Sequence, residues 1–470
     1  MQREAIIKLI FPLFFTILIA IIGWNTGLFW DNILFVHKMS IPLLENGVWA
    51  WGSLPLQNDP GHPPFIATYM SIMWNIFGRS IYVAHIALYP FIALFIYEIL
   101  HIAITVFKST AWGIFTTILV LADSTIFSSL MYIGTEVFVL SFSAIAIRGI
   151  TTNNPMRKTI GLMLLGITSL RGMMLCAGLF LWDFSSTLFL RYNGRKCLFL
   201  KQFLYPYIIA AIPALSFVVW RLISKGWIIS NPIAPWGDAT GFENIVDFMT
   251  NFLRNALVFI QRITDFGRFF ICCIVMIYLW QHRIQLKSNS RLIIMLLFLL
   301  CSCCIIVLVS LCIKNPMGHS YFLLIYIGMS FLFVELLKTI KWRKIAYILV
   351  ISILLLGNLI VYPETISQGW AASLASLPYW KLRQQVLTYI NNQNIPYEEV
   401  FFDFPFGSCS DDVDLNGDKR AYAKDLNKAT YFVASNVCNF NDETLKNIKT
   451  YSPIFHTEKR GVYITLYRIR

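Results

Sequence analysis

An aspartate stands just past the first long apolar run, in Trp30-Asp31-Asn32. A carboxylate at the outer end of a membrane span is positioned to act on a lipid head group. The plainer alternative is a solvated acid at an interface, which costs little in that position. Farther on, Asn58-Asp59-Pro60-Gly61-His62-Pro63-Pro64-Phe65 sets Asp59 and His62 on a turn stiffened by Pro60, Pro63 and Pro64. Both could face a cleft, or the segment could be only the start of a helix. Two acids and a histidine could also take a divalent cation, although this spacing is not diagnostic of one. Glu136 is harder to dismiss, because it sits between apolar runs where an unpaired acid is costly.

A separate constellation lies near the C-terminus. Asp412-Val413-Asp414-Leu415-Asn416-Gly417-Asp418 has oxygen ligands at alternate positions and a glycine sixth, like the first half of a calcium loop. The twelfth position is Ala423 where a bidentate glutamate is expected, so a polar turn is the competing reading. Cys409 and Cys438 flank the loop and could pair in an oxidising compartment. Cys301, Cys303 and Cys304 lie inside an apolar run and read as small packing residues.

These residues must be positioned by a membrane protein. Of 470 residues, 57% are hydrophobic and 13% charged, too few charges to cover a water-facing surface of this size. The apolar residues fall in blocks near the roughly 17–25 residues that cross a bilayer. About eleven spans fit, near 9–29, 80–104, 110–131, 134–150, 159–171, 172–190, 202–224, 268–281, 292–313, 320–337 and 345–362. The net charge of +13 would suggest nucleic acid in a soluble chain. Here the lysines and arginines crowd one alternate set of short loops, around Lys8, Lys108, Arg157, Arg195, Arg283 and Arg343, so they set topology and imply no nucleic-acid partner. The expectation is a polytopic α-helical membrane protein with a cytoplasmic N-terminus and an outer C-terminus. Residues 1–362 would form the membrane domain and 363–470 a small extracytoplasmic α/β domain.

Two outer loops are long. The first, 30–79, contains an apolar stretch from Pro64 to Phe77 that is short for a span and reads as an interfacial or re-entrant helix. The second, 225–267, carries turns at Asn231-Pro232 and Pro235-Trp236-Gly237 and an amphipathic stretch from Glu243 to Arg262. In the tail, Lys381 to Asn392 has helical periodicity. The segments Glu399–Phe404, Ala429–Val433 and Gly461–Tyr467 read as strands.

The chain resembles the dolichyl-phosphate-mannose–protein mannosyltransferase superfamily, which includes the bacterial aminoarabinose transferases. The resemblance rests on Trp30-Asp31, on Gly61-His62-Pro63-Pro64-Phe65 opening a helix that ends in Phe77-Gly78-Arg79-Ser80, and on Gly134-Thr135-Glu136. It continues through Gly166-Ile167-Thr168-Ser169-Leu170-Arg171-Gly172, His319-Ser320-Tyr321-Phe322-Leu323-Leu324 and the tail segments Ala429–Val433 and Gly461–Arg468. It implies the C-type glycosyltransferase fold and inverting transfer of a sugar from a polyprenyl-phosphate donor to an envelope acceptor. Asp31 would then be the general base and Glu136 a second acid in the same cleft. His62, Arg171, Lys314, His319 and Tyr321 would hold the donor phosphate, with Asp59, Pro63 and Pro64 supporting the loop. Without the family, Arg171 could be a snorkelling side chain and His319 a loop histidine. This sequence departs from the pattern at Asn32, where many members have a second acid, at Gly61-His62, where the aminoarabinose type has Glu-Lys, and at His85, which replaces an arginine. A lipid-linked saccharide flippase or a non-catalytic assembly protein is the alternative reading.

Overall fold

The computed structural model describes residues 2–191, 196–228, 231, 242–281, 289–311, 313–314, 317–448 and 450–470. The turns expected at Pro232 and Pro235-Trp236-Gly237, and the basic residues Arg195 and Arg283, lie outside them. Of the described residues 71% are helical, so the bundle expected from the apolar blocks dominates.

Helices run in the order α1 Gln2–Gly23, α2 Ser40–Asn46, α3 Phe65–Phe77, α4 Ile81–Phe107, α5 Thr110–Ala122, α6 Ser124–Met131, α7 Glu136–Thr151 and α8 Pro155–Thr168. They continue as α9 Leu170–Arg191, α10 Lys196–Lys225, α11 Ile245–Thr264, α12 Arg268–Gln281, α13 Ser290–Ser310, α14 Leu323–Leu337 and α15 Arg343–Gly357. Many of their starts are written locally. The side chains of Ser80, Asp123, Asn154, Asn244 and Asn289 accept backbone N–H bonds from the first turns of α4, α6, α8, α11 and α13.

Among the described residues, five helices are long and apolar enough to cross a membrane, and seven if each of two bent pairs counts once. The bent pairs are α5 with α6, at 77°, and α11 with α12, at 91°. Helices α7, α8 and α9 occupy the expected segments 134–150, 159–171 and 172–190 but fall short of that test in length or apolarity. The break between α5 and α6 is fixed by Asp123, which caps α6 and accepts two hydrogen bonds from Arg268, Nε at 2.6 Å and Nη2 at 2.8 Å. The Arg268 guanidinium also lies 3.6 Å from the centroid of the Tyr326 ring. A buried ion pair this fully satisfied ties the bends of both broken pairs to α14.

After α15 the chain turns into α16, Leu377–Asn392, the short helices α17, Asp411–Asp414, and α18, Asp442–Ile448, and a four-stranded sheet. Its strands are β1 Val400–Phe402, β2 Tyr431–Ser435, β3 Ser452–Lys459 and β4 Val462–Arg468, in spatial order β1-β2-β4-β3. β1 pairs parallel with β2, and the other pairings are antiparallel. The expected strands are β1, β2 and β4. β3 was not anticipated, because its largely exposed edge includes Pro453, His456, Glu458 and Lys459 and so lacks a strand's apolar alternation. It joins β4 through Arg460 and Gly461, both at positive φ, as a tight hairpin requires.

The sheet-bearing part is fastened to the loop between α1 and α4. Gly27 passes so close to the backbone carbonyl of Val413 that a Cβ there would lie 2.7 Å from it, and Leu28 N donates to the same oxygen at 2.8 Å. Beside this contact Arg79 donates to Asp411 at 2.6 Å, while His37 and Lys38 flank Asp412 at 3.2 and 3.6 Å. Burial alone would raise both carboxyls. The Arg79 bond at Asp411, and at Asp412 the His37 and Ser408 N–H bonds with the Lys38 charge, hold them below the usual carboxylate range instead. A depressed carboxyl stabilises the docked state fully above its unfolded value of about 3.9 and loses that contribution as pH falls. Docking of the tail should therefore be constant from pH 7 to about 5 and weaken below about 4. Asp412→Asn should weaken docking already at pH 7, read by limited proteolysis between α15 and α16.

The calcium loop does not form. Asp411–Asp414 is helical, and its carboxylates turn to separate cations: Asp412 to Lys38 and His37, Asp414 to Arg383 at 2.5 Å, Asp418 to Arg420 at 2.7 Å. Asn416 bonds Ser410 and the Asp418 N–H. Among the described residues no three or more His, Cys, Asp or Glu side chains are grouped to hold a metal. Cys409 and Cys438 are both free thiols, so the expected disulfide is absent.

Candidate active site

A cavity of about 260 Å³ opens where the loop between α1 and α4, the N-terminal ends of α7 and α9, the C-terminal end of α11 and the tail converge. Asp31 enters it from the turn after α1. The preceding Trp30 is held at φ 51°, an uncommon conformation for a non-glycine residue, and a π-helical turn, Ile33–Lys38, follows. Trp30 packs edge-on against Phe404 of the tail with ring centroids 5.0 Å apart, which braces that turn.

Glu136 is the first residue of α7, where the helix dipole favours an anion. Arg171 is in the first turn of α9, where the dipole disfavours a cation, and Glu136 compensates it: Nη2 donates to Oε1 at 2.8 Å and to Thr135 Oγ1 at 3.2 Å. The guanidinium lies 5.3 Å from the centroid of the Tyr321 ring. Gly134 allows this closeness, since a Cβ there would lie 2.6 Å from Glu136 Oε2 and 2.7 Å from Asn32 Oδ1.

Asp31 is accessible, but to the cavity's own volume, with protein on nearly every side. That enclosure raises its pKa, the Glu136 charge raises it further, and Arg171 pulls it back only in part. A carboxylate in this setting is a stronger base than one in water. His62 has the opposite fate. Burial first, then the charges of Arg171 and Arg221, push its pKa down to about 3, so it is neutral. Its Nδ1 accepts the Leu170 N–H at 3.2 Å, which leaves Nε2–H as a donor.

Two arginines on the cavity wall are only partly satisfied. Arg171 Nε and Arg262 Nη1 are buried and have no hydrogen-bond partner among the described residues, although Arg262 Nη1 stands 3.6 Å from Asp265 Oδ2. Arg262 Nε donates to the Met317 carbonyl at 3.4 Å. A buried guanidinium N–H without an acceptor is costly. Both guanidinium groups line the cavity, which gives it positive charge suited to an anion.

No protein-family model and no curated protein matches the sequence. Among solved structures, the crystal structure of ArnT from Cupriavidus metallidurans bound to undecaprenyl phosphate aligns over 97% of this chain and 97% of that one, with a TM-score of 0.53 at 12% identity. This chain has the ArnT fold. The coverage extends the likeness to ArnT beyond the bundle into the sheet-bearing tail. At 12% identity the similarity to ArnT is one of architecture, so each side chain's role rests on its own geometry.

Within this ArnT-like frame, Asp31, His62, Pro63, Pro64, Glu136, Arg171, His319 and Tyr321 all line the cavity. His319 is not a free cation, because its Nε2 bonds Asp265 at 2.7 Å, and Asp265 also accepts from Tyr362 at 2.6 Å. Lys314 does not join the set: it pairs with Asp247 at 3.5 Å and is not on the cavity wall. Asp59 is buried away from it, ion-paired with Arg221, and accepts the Gly61 N–H at 3.0 Å, so it shapes the loop that presents His62. Sequence reasoning missed Arg262 and the tail's contribution of Gln368, Trp370 and Asn439. The available signal was the amphipathic stretch ending at Arg262. The tail residues give no sign until the sheet docks.

Proposed function

We propose that the chain is an inverting glycosyltransferase that moves a sugar from a polyprenyl-phosphate donor to a hydroxyl-bearing acceptor at the outer face of a bacterial inner membrane. In this reading about eleven spans form a membrane domain, residues 1–362, with the N-terminus cytoplasmic, and residues 363–470 form an extracytoplasmic domain over the cavity. Asp31 accepts the acceptor's proton as its oxygen attacks the anomeric carbon and the bond from that carbon to the phosphate oxygen breaks. The departing polyprenyl phosphate gathers negative charge, which Arg171 and Arg262 meet. Glu136 holds Arg171 in place and keeps the pKa of Asp31 high. Tyr321, His62 and the His319–Asp265 pair complete the wall.

The observation that carries the reading is one enclosed carboxylate sharing a cavity with two under-satisfied arginines. The ArnT fold supports it, since the ArnT structure holds undecaprenyl phosphate. A flippase would need polar groups along a path through the bundle, and none of the described observations favours that. The test is binding of undecaprenyl phosphate to the detergent-solubilised chain, read by thermal stabilisation. Binding should weaken about tenfold in Arg262→Ala, as expected for loss of one charge-assisted contact. Equal binding of the uncharged alcohol undecaprenol would overturn the reading.

A further inference from the structure

A second cavity, about 350 Å³, lies at the other end of the same helices. Its walls come from the C-terminal parts of α4, α7 and α9, the N-terminal part of α13 and the middle of α14. Ile150 on its wall is about 21 Å along α7 from Glu136, at 1.5 Å per residue. The interior is apolar, with Ile99, Ile102, Ile147, Met295, Phe298 and Phe331 among its lining. Trp182 Nε1 donates to the Ile294 carbonyl at 3.1 Å and holds α9 against α13 along one side.

Apolar cavities of roughly 150 Å³ already take up small hydrocarbons while staying dry. One of more than twice that volume has room for a stretch of lipid chain, and its apolar walls offer water few partners. Two basic side chains line it at helix ends, Lys108 at the C-terminus of α4 and Arg291 in the first turn of α13, and Asp183 and Thr187 are among its other polar lining residues. Asp183 is already neutralised by Lys158 at 2.9 Å, and Arg291 reaches only Glu335, which Lys338 also binds. Lys108, at the C-terminus of α4, has no carboxylate partner among the described residues. The mouth therefore carries surplus positive charge beside an apolar interior, the complement of an anionic amphiphile.

We infer that this cavity binds an anionic glycerophospholipid, one acyl chain inside and its phosphate between Lys108 and Arg291. The site does not depend on the proposed transfer reaction. Its position at the basic ends of the helices makes the lipid one from the leaflet opposite the candidate active site.

The full chain, released from nanodiscs of phosphatidylglycerol or of phosphatidylethanolamine, can be weighed intact to count retained lipids. Phosphatidylglycerol should be retained in preference. Lys108→Glu, an exposed change that leaves packing intact, should cut retention about tenfold. Ile150→Trp should remove it by filling the cavity. The inference is overturned if the wild type holds both lipids equally, if Lys108→Glu retains phosphatidylglycerol like the wild type, or if added undecaprenyl phosphate displaces it from this site.

Discussion

Asp31→Asn should abolish sugar transfer, by about 10²–10⁴-fold, in a chain that still inserts and still binds undecaprenyl phosphate. The change keeps the shape of the side chain and removes only its ability to take a proton. The fold does not need that charge: no side-chain hydrogen bond or ion pair to Asp31 is formed among the described residues, and its surroundings disfavour ionisation. The sign of the pH dependence follows. Only ionised Asp31 accepts a proton, so transfer should rise with pH through a pKa lying above 3.8. Burial is the first cause of the raised value and Glu136 the second. Glu136→Gln should therefore move the acid limb of the profile to lower pH. Measuring kcat/KM against pH in the wild type and both variants checks the assignment. An unmoved limb in Glu136→Gln, or an active Asp31→Asn, would remove Asp31 from the role of base.

Arg171→Ala should do two kinds of damage. It strands Glu136 beside Asp31 without a counter-charge, and breaking one side of a buried pair costs about 3–5 kcal/mol. On the proposed mechanism it also removes one of the two cations meeting the leaving phosphate, worth about 10²–10³ in rate by analogy with loss of an oxyanion donor. The effects separate in the double variant Arg171→Gln with Glu136→Gln, where the stranded charge is gone. Thermal stability should return close to wild type while transfer stays low. If restoring stability also restored transfer, Arg171 would be structural only. Both variants should be read for folding by denaturant midpoint and for turnover with a labelled donor.

Much of this site was legible one residue at a time, because membranes make certain side chains conspicuous. An acid at the head of an apolar segment, Glu136, and an arginine inside another, Arg171, are expensive enough to announce themselves, and each turned out to be the other's partner. Asp31 was visible for its position past the first span. The errors came where charge is cheap. Lys314 sits in a loop where a lysine needs no purpose, and it found Asp247 rather than the cavity. The run from Asp412 to Asp418 had ligand-like spacing, but spacing is silent about Lys38 and Arg383, more than thirty positions away at the nearest, which took up two of those carboxylates. Arg262 was hidden because its helix reads as amphipathic from end to end, and the 91° bend that brings its last turn to the cavity is set by the Asp265–Arg268 corner. β3 was missed for the converse reason: an edge strand is held by its neighbour β4 and can be almost wholly polar.

Part of the cavity wall comes from Gln368, Trp370 and Asn439. The pocket is thus unfinished while the chain is being made, because the last piece of its lining is synthesised after every helix of the bundle. Until then Asp31 lacks the tail's share of its enclosure, while Glu136 and Arg171 are already beside it. On the proposed function, reactivity is thereby withheld by the order of synthesis itself.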